Sequence, residues 1–423
     1  MTDFPFGFDS GEPGRDPSRR DESGLPSQGG FGTGGSGIPD DLAGKMPLFS
    51  ELQKLMSWQG GPVNWDLARQ TAISGIAGGH VPVSDAERRA VVDALRLADV
   101  WLDPVTTLPS GVTQVEAWSR VEWAEKTLPV WTQLCDPVAA RVVAAMGQAI
   151  PAEARQMAGP MIGLLGQFGG MMFGAQVGQA LGTLAAEVLS GTDVGLPLAP
   201  AGTAVLLPQN VAVFGTGLEL PEDEVRLFLA LREAAHQRLF RHVPWLRQRL
   251  LDTVDAYARG INVDSEAIQS AMLQLDPSNP ESIQEALGGG LFQPQDTPDQ
   301  AQALARLETL LALVEGWVDH VVAQASAGRL PGAVALRETI RRRRASGGPA
   351  EQTFATLVGL ELRPRRLREA ATLWSLLAEQ RDAAGRDALW AQVDLLPTAE
   401  DLDDPHAFVD RDDSGGPSMA DLG

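Results

Sequence analysis

Residues 156–186 carry no charged side chain, and glycine recurs there at every fourth position: Gly166, Gly170, Gly174, Gly178 and Gly182. Nothing else in the chain limits its folding so sharply. Residues four apart stack on one face of an α-helix, so these glycines form a stripe bare of side chains. Each interior glycine costs a helix about 1 kcal/mol relative to alanine. A helix that keeps five of them must recover the loss by letting a second backbone come close, as small residues do between packed helices. Gln156, Gln167, Gln176 and Gln179 are unsuited to hydrocarbon, and no Lys/Arg-rich boundary flanks the stretch. The expectation is a helix buried in a protein core, with no membrane association.

The remaining periodic segments are also helical. Ser84–Asp85–Ala86–Glu87 is a capping box: Ser84 can accept from an orphan backbone N–H, and Glu87 can reach back to the chain at Ser84. It opens a helix whose Val91, Leu95, Ala98 and Leu102 share one face. Amphipathic runs of the same period cover 46–57, 63–78, 115–149, 221–259, 297–326 and 364–392. Pro221–Glu222–Asp223–Glu224 marks a start, because proline suits a first turn and carboxylates complement the positive helix end. Only Thr203–Leu207 and Val211–Phe214 read as strands, with Pro208–Gln209–Asn210 as the turn of a hairpin. No unit of 20–50 residues repeats. The fold class is mostly α, with a small β-hairpin or short sheet.

Residues 1–43 are dominated by Gly, Ser, Pro and Asp, and residues 411–423 are acidic and Gly/Ser-rich. Neither can bury enough apolar surface to offset ordering, so disordered tails are expected around a single large helical domain at 44–410. The leader has no basic segment followed by an apolar run, so no secretory signal is read there. Acidic residues number 55 against 34 basic ones, a formal charge of -21 that repels phosphates and argues against nucleic acid as a partner. The single cysteine, Cys135, excludes an internal disulfide and any Cys-based metal cluster, which fits a cytoplasmic protein.

Chemistry concentrates in Leu231–Arg232–Glu233–Ala234–Ala235–His236. In H-E-x-x-H helices the two histidines lie one turn apart and share a Zn²⁺, while the glutamate takes a proton from metal-bound water. Here Glu233 matches the general base and His236 the second ligand, but Arg232 stands in the place of the first. His242, ten positions after Arg232, matches the third histidine of the longer H-E-x-x-H-x-x-G-x-x-H pattern. That pattern needs a turning glycine where this chain has Leu239, so a continued helix would aim His242 elsewhere. Glycine-rich phosphate loops, dinucleotide-binding turns and G-x-S-x-G nucleophile elbows are absent from the sequence.

With these residues the chain resembles the zincin-like metallopeptidase family of actinobacteria, one branch of which carries a deazaflavin-coenzyme-biosynthesis label. The likeness spans about 45–410. It includes the Gly-rich helix of 163–190, Ala204–Phe214, the motif helix running into Val243–Pro244–Trp245–Leu246, Glu315–Gly316–Trp317–Val318–Asp319, and the end segment Leu396–Pro405. The resemblance implies a zincin-like multi-helix domain and hydrolase chemistry. It also implies zinc held by His236 and Glu315, with Asp319 as a carboxylate orienting a ligating histidine. Arg232 opposes the metal. Two unit charges 4 Å apart interact by about 4 kcal/mol at an effective dielectric near 20, and a divalent ion doubles that to roughly 8 kcal/mol. A guanidinium also has no lone pair to offer, but it suits a carboxylate, so Arg232 is expected to pair with Glu315 or Glu233. His236 can equally be a core histidine bonded to Glu315 or Asp319. His320 is expected to point away from the site into solvent. Two functions stay open: a zinc-dependent peptidase or related hydrolase, and a non-catalytic pseudo-metallopeptidase that binds a peptide or protein as a scaffold.

Overall fold

The computed structural model of the protein describes residues 61–149, 159–259, 297–345 and 366–413. The expected leader at 1–43 and the expected run at 46–57 lie outside these residues. The chain enters helix α1 (Trp65–Ala77) through Asn64, whose side chain accepts from the Leu67 N–H at 3.0 Å. It continues through α2 (Asp85–Leu102), strand β1 (Gln114–Ala117), α3 (Arg120–Ala149) and α4 (Gly159–Ala185). Strand β2 (Thr203–Leu206), α5 (Pro208–Gly215), α6 (Glu222–His242) and α7 (Pro244–Arg259) follow. The last group is α8 (Pro298–Ser326), α9 (Ala333–Ala345), α10 (Leu367–Ala388), two single 3₁₀ turns, α11 (Ala399–Asp403) and α12 (Pro405–Asp413).

The glycine stripe finds its partner in α1. The Asn64 N–H donates to the Gly170 carbonyl at 2.8 Å. A methyl group on Gly174 would collide with the Asn64 carbonyl, and one on Gly178 with the Ala68 carbonyl and the Thr71 side chain. Among the described residues, no helix is long and apolar enough to cross a membrane. The Ser84–Glu87 capping box forms, and Val91, Leu95, Ala98 and Leu102 are the buried face of α2.

The sheet differs from the expected hairpin. β2 pairs in parallel with β1, Gln114 opposite Thr203 and Ala117 opposite Leu206. Val211–Phe214 is helical, because Pro208 opens α5 in its first turn and no turn follows β2. Asn210, read as a turn residue, is instead buried. It donates to the Ala185 and Val188 carbonyls at 3.0 and 2.6 Å and accepts from Arg120 Nε at 2.7 Å. The run at 115–149 therefore starts as a strand. The run at 221–259 is two helices, since Pro244 cannot continue α6 and Val243 leaves helical geometry. At the other end, α12 extends through Asp413, so the first three residues of the expected acidic tail are helical.

Helices α6 and α8 sit at the centre. α6 packs against α2 and α8, and α8 also packs against α7 and α10. Both are buried nearly all round: Phe228 to Leu239 in α6, and Leu310 to Val322 in α8, are almost wholly removed from solvent. Polar residues on such helices must find partners inside the protein.

Candidate functional site

Arg232 and His236 lie one turn apart on the face of α6 that meets α8, and both converge on one carboxylate. Arg232 Nη2 donates to Glu315 Oε2 at 2.6 Å, and His236 Nε2 lies 3.1 Å from Glu315 Oε1. His236 Nδ1 faces the Arg232 carbonyl at 2.8 Å; a carbonyl only accepts, so Nδ1 carries a proton. Phe240, one turn further, stacks on the imidazole with centroids 6.1 Å apart. A second guanidinium arrives from α9, with Arg344 Nη2 at 2.9 Å from Glu315 Oε1.

Glu315 itself is 0% exposed. Burial raises its pKa, but Arg344, His236 and Arg232 together outweigh burial and hold the carboxyl well below the usual carboxylate range. The carboxylate at the centre of the site is thus an anion at neutral pH, and its counter-charges are side chains of the protein.

Glu233 points elsewhere. It too is 0% exposed, and it faces β2 rather than α8. It accepts from the Thr192 hydroxyl at 2.5 Å, from the Val205 N–H at 3.2 Å and from Gln237 Nε2 at 3.1 Å. It pairs with neither Arg232 nor Arg238. The Val205 carbonyl accepts from the Gly191 N–H, and the Leu207 N–H donates to the Leu189 carbonyl. The edge of β2 away from β1 is therefore covered by Glu233 and residues 189–191, which leaves no room for an added strand.

Two expectations fail on geometry. Asp319 does not orient His236: one turn along α8 it faces α9, where Arg337 Nη2 and Arg341 Nη2 donate to its Oδ2 at 2.5 and 2.6 Å. His320 is not solvated: it is 6% exposed, and its Nε2 is buried without a hydrogen-bond partner. Burial, with Arg386 and Arg337 nearby, pushes its pKa down to about 4, although Asp319 and Asp387 pull the other way. His242 is exposed at the end of α6, where its Nε2 donates to the Ser110 carbonyl at 3.1 Å, apart from the cluster.

Residues that the motif reading missed complete the site. Arg343 donates to both oxygens of Asp193 at 3.0 and 2.8 Å, and Arg344 donates to the Asp193 carbonyl at 2.6 Å. Their signal was the unbroken run Arg341–Arg342–Arg343–Arg344, three of whose members turn inward to acids.

These residues do not fit zinc. His236 and Glu315 provide two donors, but the third corner is a guanidinium. Among the described residues, no group of three His, Cys, Asp or Glu side chains could hold a metal ion.

Comparison with known proteins places this geometry in context. A crystal structure described as "a putative hydrolase with a novel fold" from Chloroflexus aurantiacus superposes with a TM-score of 0.57 at 22% identity. The match covers 84% of this chain and 100% of that one, and at this identity it establishes a shared fold. No curated protein matches the sequence. The sequence model of the zincin-like metallopeptidase family matches residues 63–409, from the strand of chain before α1 to the last helix, and the chain belongs to that family.

Proposed function

We propose that this chain is a non-catalytic member of the family, a pseudo-metallopeptidase whose metal has been replaced by an ion cluster and which works by binding a peptide or protein. The carrying observation is that both oxygens of Glu315 are occupied by the protein's own side chains, Oε2 by the Arg232 guanidinium and Oε1 by the Arg344 guanidinium and His236 Nε2. A ligand oxygen saturated in this way has little to offer a metal, and the charge of two guanidiniums opposes one. Glu233, the residue that would activate water, has both oxygens committed to structural donors instead. The cytoplasm is the proposed compartment. It suits a chain whose lone cysteine, Cys135, is buried and whose thiol pKa is pushed up to about 12, chiefly by that burial.

The hydrolase reading keeps one observation in its favour. His236 and Glu315 stand together as two donors of a metal site would. Elemental analysis of protein purified without chelator separates the two. The pseudo-metallopeptidase holds no stoichiometric zinc, and its thermal unfolding is the same in zinc and in EDTA. One zinc per chain, removable by EDTA with a fall in Tm, overturns the proposal in favour of the hydrolase.

A further inference from the structure

Helix α9 is bound to the rest of the protein chiefly by arginines. Leu336 and Ile340 are its buried apolar contacts, while Arg337 and Arg341 hold Asp319, and Arg343 holds Asp193. Asp193 is fixed in turn, accepting from the Leu189 N–H at 2.9 Å. These anchors fix the position of Arg344, which donates to the Asp193 carbonyl and lies 12% exposed against Glu315 Oε1. The loop that carries Asp193 passes close by because Gly195 adopts a left-handed backbone at φ +81°. A side chain there would stand 3.2 Å from Leu311 and 3.6 Å from Glu315 Oε1.

The other half of the site remains shaped for a cation. Two donors on one tetrahedral zinc, with bonds near 2.0 Å, lie about 3.3 Å apart. His236 Nε2 and Glu315 Oε1 are 3.1 Å apart. The Nδ1–H of His236 is bonded to a backbone carbonyl, so Nε2 is the nitrogen turned toward Glu315 Oε1 and the one that a metal would engage in place of that contact. The edge where such an ion would attach is the Oε1 edge, and Arg344 occupies it from outside the motif helix.

We infer that Arg344 is a second, independent plug of the ancestral metal position, so that the cation site is closed from α9 as well as by Arg232. This rests on the pseudo-metallopeptidase reading and extends it: the loss of metal is a two-residue property, and restoring the motif histidine alone does not undo it. With Arg344 in place, a zinc bridging His236 and Glu315 must share Oε1 with a guanidinium that is anchored on both sides and cannot lose its charge. With Arg344 also removed, three donors face an open corner: the new imidazole, His236 and Glu315.

The test compares zinc uptake by the full chain, the single variant Arg232→His and the double variant Arg232→His with Arg344→Gln. Binding is read by isothermal titration with zinc and by the visible absorption of cobalt as a stand-in. The single variant is expected to take up no stoichiometric metal. The double variant is expected to bind one ion per chain, at least a hundredfold more tightly than the single, with an EDTA-reversible rise in Tm. Arg344→Lys in the Arg232→His background retains the charge and is expected to refuse the metal. If Arg344→Gln prevents folding without metal, Arg344→Met keeps the bulk of the side chain and takes its place. Stoichiometric uptake by Arg232→His alone overturns the inference but leaves the pseudo-metallopeptidase reading standing. A folded double variant that binds nothing also overturns it. Zinc in the unaltered chain defeats the functional reading instead.

Discussion

Arg232 on α6 and Glu315 on α8 are 83 positions apart in sequence and meet at 2.6 Å, with side chains 8% and 0% exposed. At that burial the pair is not a decoration of the surface, where ion pairs contribute little. Both charges have lost their water, so each depends on the other and on the shared neighbours His236 and Arg344. The joint between the two central helices is thus built on a buried carboxylate held by two guanidiniums.

The pair is asymmetric, which gives a first prediction. Arg232→Met leaves Glu315 with the Arg344 guanidinium as counter-charge and His236 beside it. Glu315→Gln leaves two guanidiniums in one buried space with no anion between them. Breaking a buried pair costs about 3–5 kcal/mol, and the glutamine variant is expected at or above the top of that range, the methionine variant at or below its foot. Urea unfolding at neutral pH measures both. A methionine variant as unstable as the glutamine one would mean that Arg344 does not share the charge.

Acid should act on the fold in two stages. His320 has a pKa of about 4 in the folded protein against an ordinary 6.5, so between those values the unfolded chain binds more protons. Stability is then fully present above pH 6.5 and falls as pH drops towards 4, by roughly 3 kcal/mol in all. Glu315 and Asp319 have lowered pKa values, so their contribution is present above their unfolded values of 4.5 and 3.8 and is lost only as pH falls below these. His320→Leu should abolish the first stage and leave the second. Because Nε2 has no partner, this variant should be within about 1 kcal/mol of the parent at pH 7.5. An unchanged slope between pH 6.5 and 4.5 would assign the first stage to another group.

Glycine-to-alanine exchange in α4 should change sign along a single helix. Nothing lies within 4 Å of a methyl group placed on Gly166, so Gly166→Ala should stabilise by up to about 1 kcal/mol through helix propensity. The same change at Gly178 drives a methyl into the Ala68 carbonyl and Thr71, separates α1 from α4, and should cost about 1–3 kcal/mol. Thermal unfolding of the two variants decides it. Stabilisation at both positions would show that the stripe is not a contact.

These outcomes reflect how far each feature was legible in the chain. Local chemistry was readable: the capping box at Ser84–Glu87, the periodic face of α2 and the glycine spacing of α4 each name their own structure. The partner of a segment was not. β2 pairs with residues some ninety positions earlier, and no neighbouring residue of Thr203–Leu206 signals a parallel mate at Gln114–Ala117. The same limit applied to the site. The motif spacing pointed to Arg232 and His236 and the family resemblance to Glu315, but nothing in the spacing marked the helix that clamps Asp319 as part of the site. The inward direction of Arg337, Arg341, Arg343 and Arg344 depends on where α9 docks.

Glu233 offers the sharpest separation of a structural role from a catalytic one. Three donors converge on its carboxylate: the Thr192 hydroxyl, the Val205 N–H and the Gln237 amide. A glutamine in its place keeps the shape: its oxygen can retain the Val205 and Gln237 donors, and its NH₂ group can donate to the Thr192 hydroxyl, which turns to accept. The exchange of carboxylate contacts for amide ones should cost about 1 kcal/mol, a loss of stability felt through β2 and the Thr192 loop. Thr192→Val removes one of the three donors, and in the Glu233→Gln background it should cost less than it does alone, because the two substitutions share a single contact. Urea unfolding of the two single variants and the double variant provides this cycle. A Glu233→Gln protein as stable as its parent, but lacking a peptide-hydrolysing activity that the parent displays, would return this carboxylate to the role of general base.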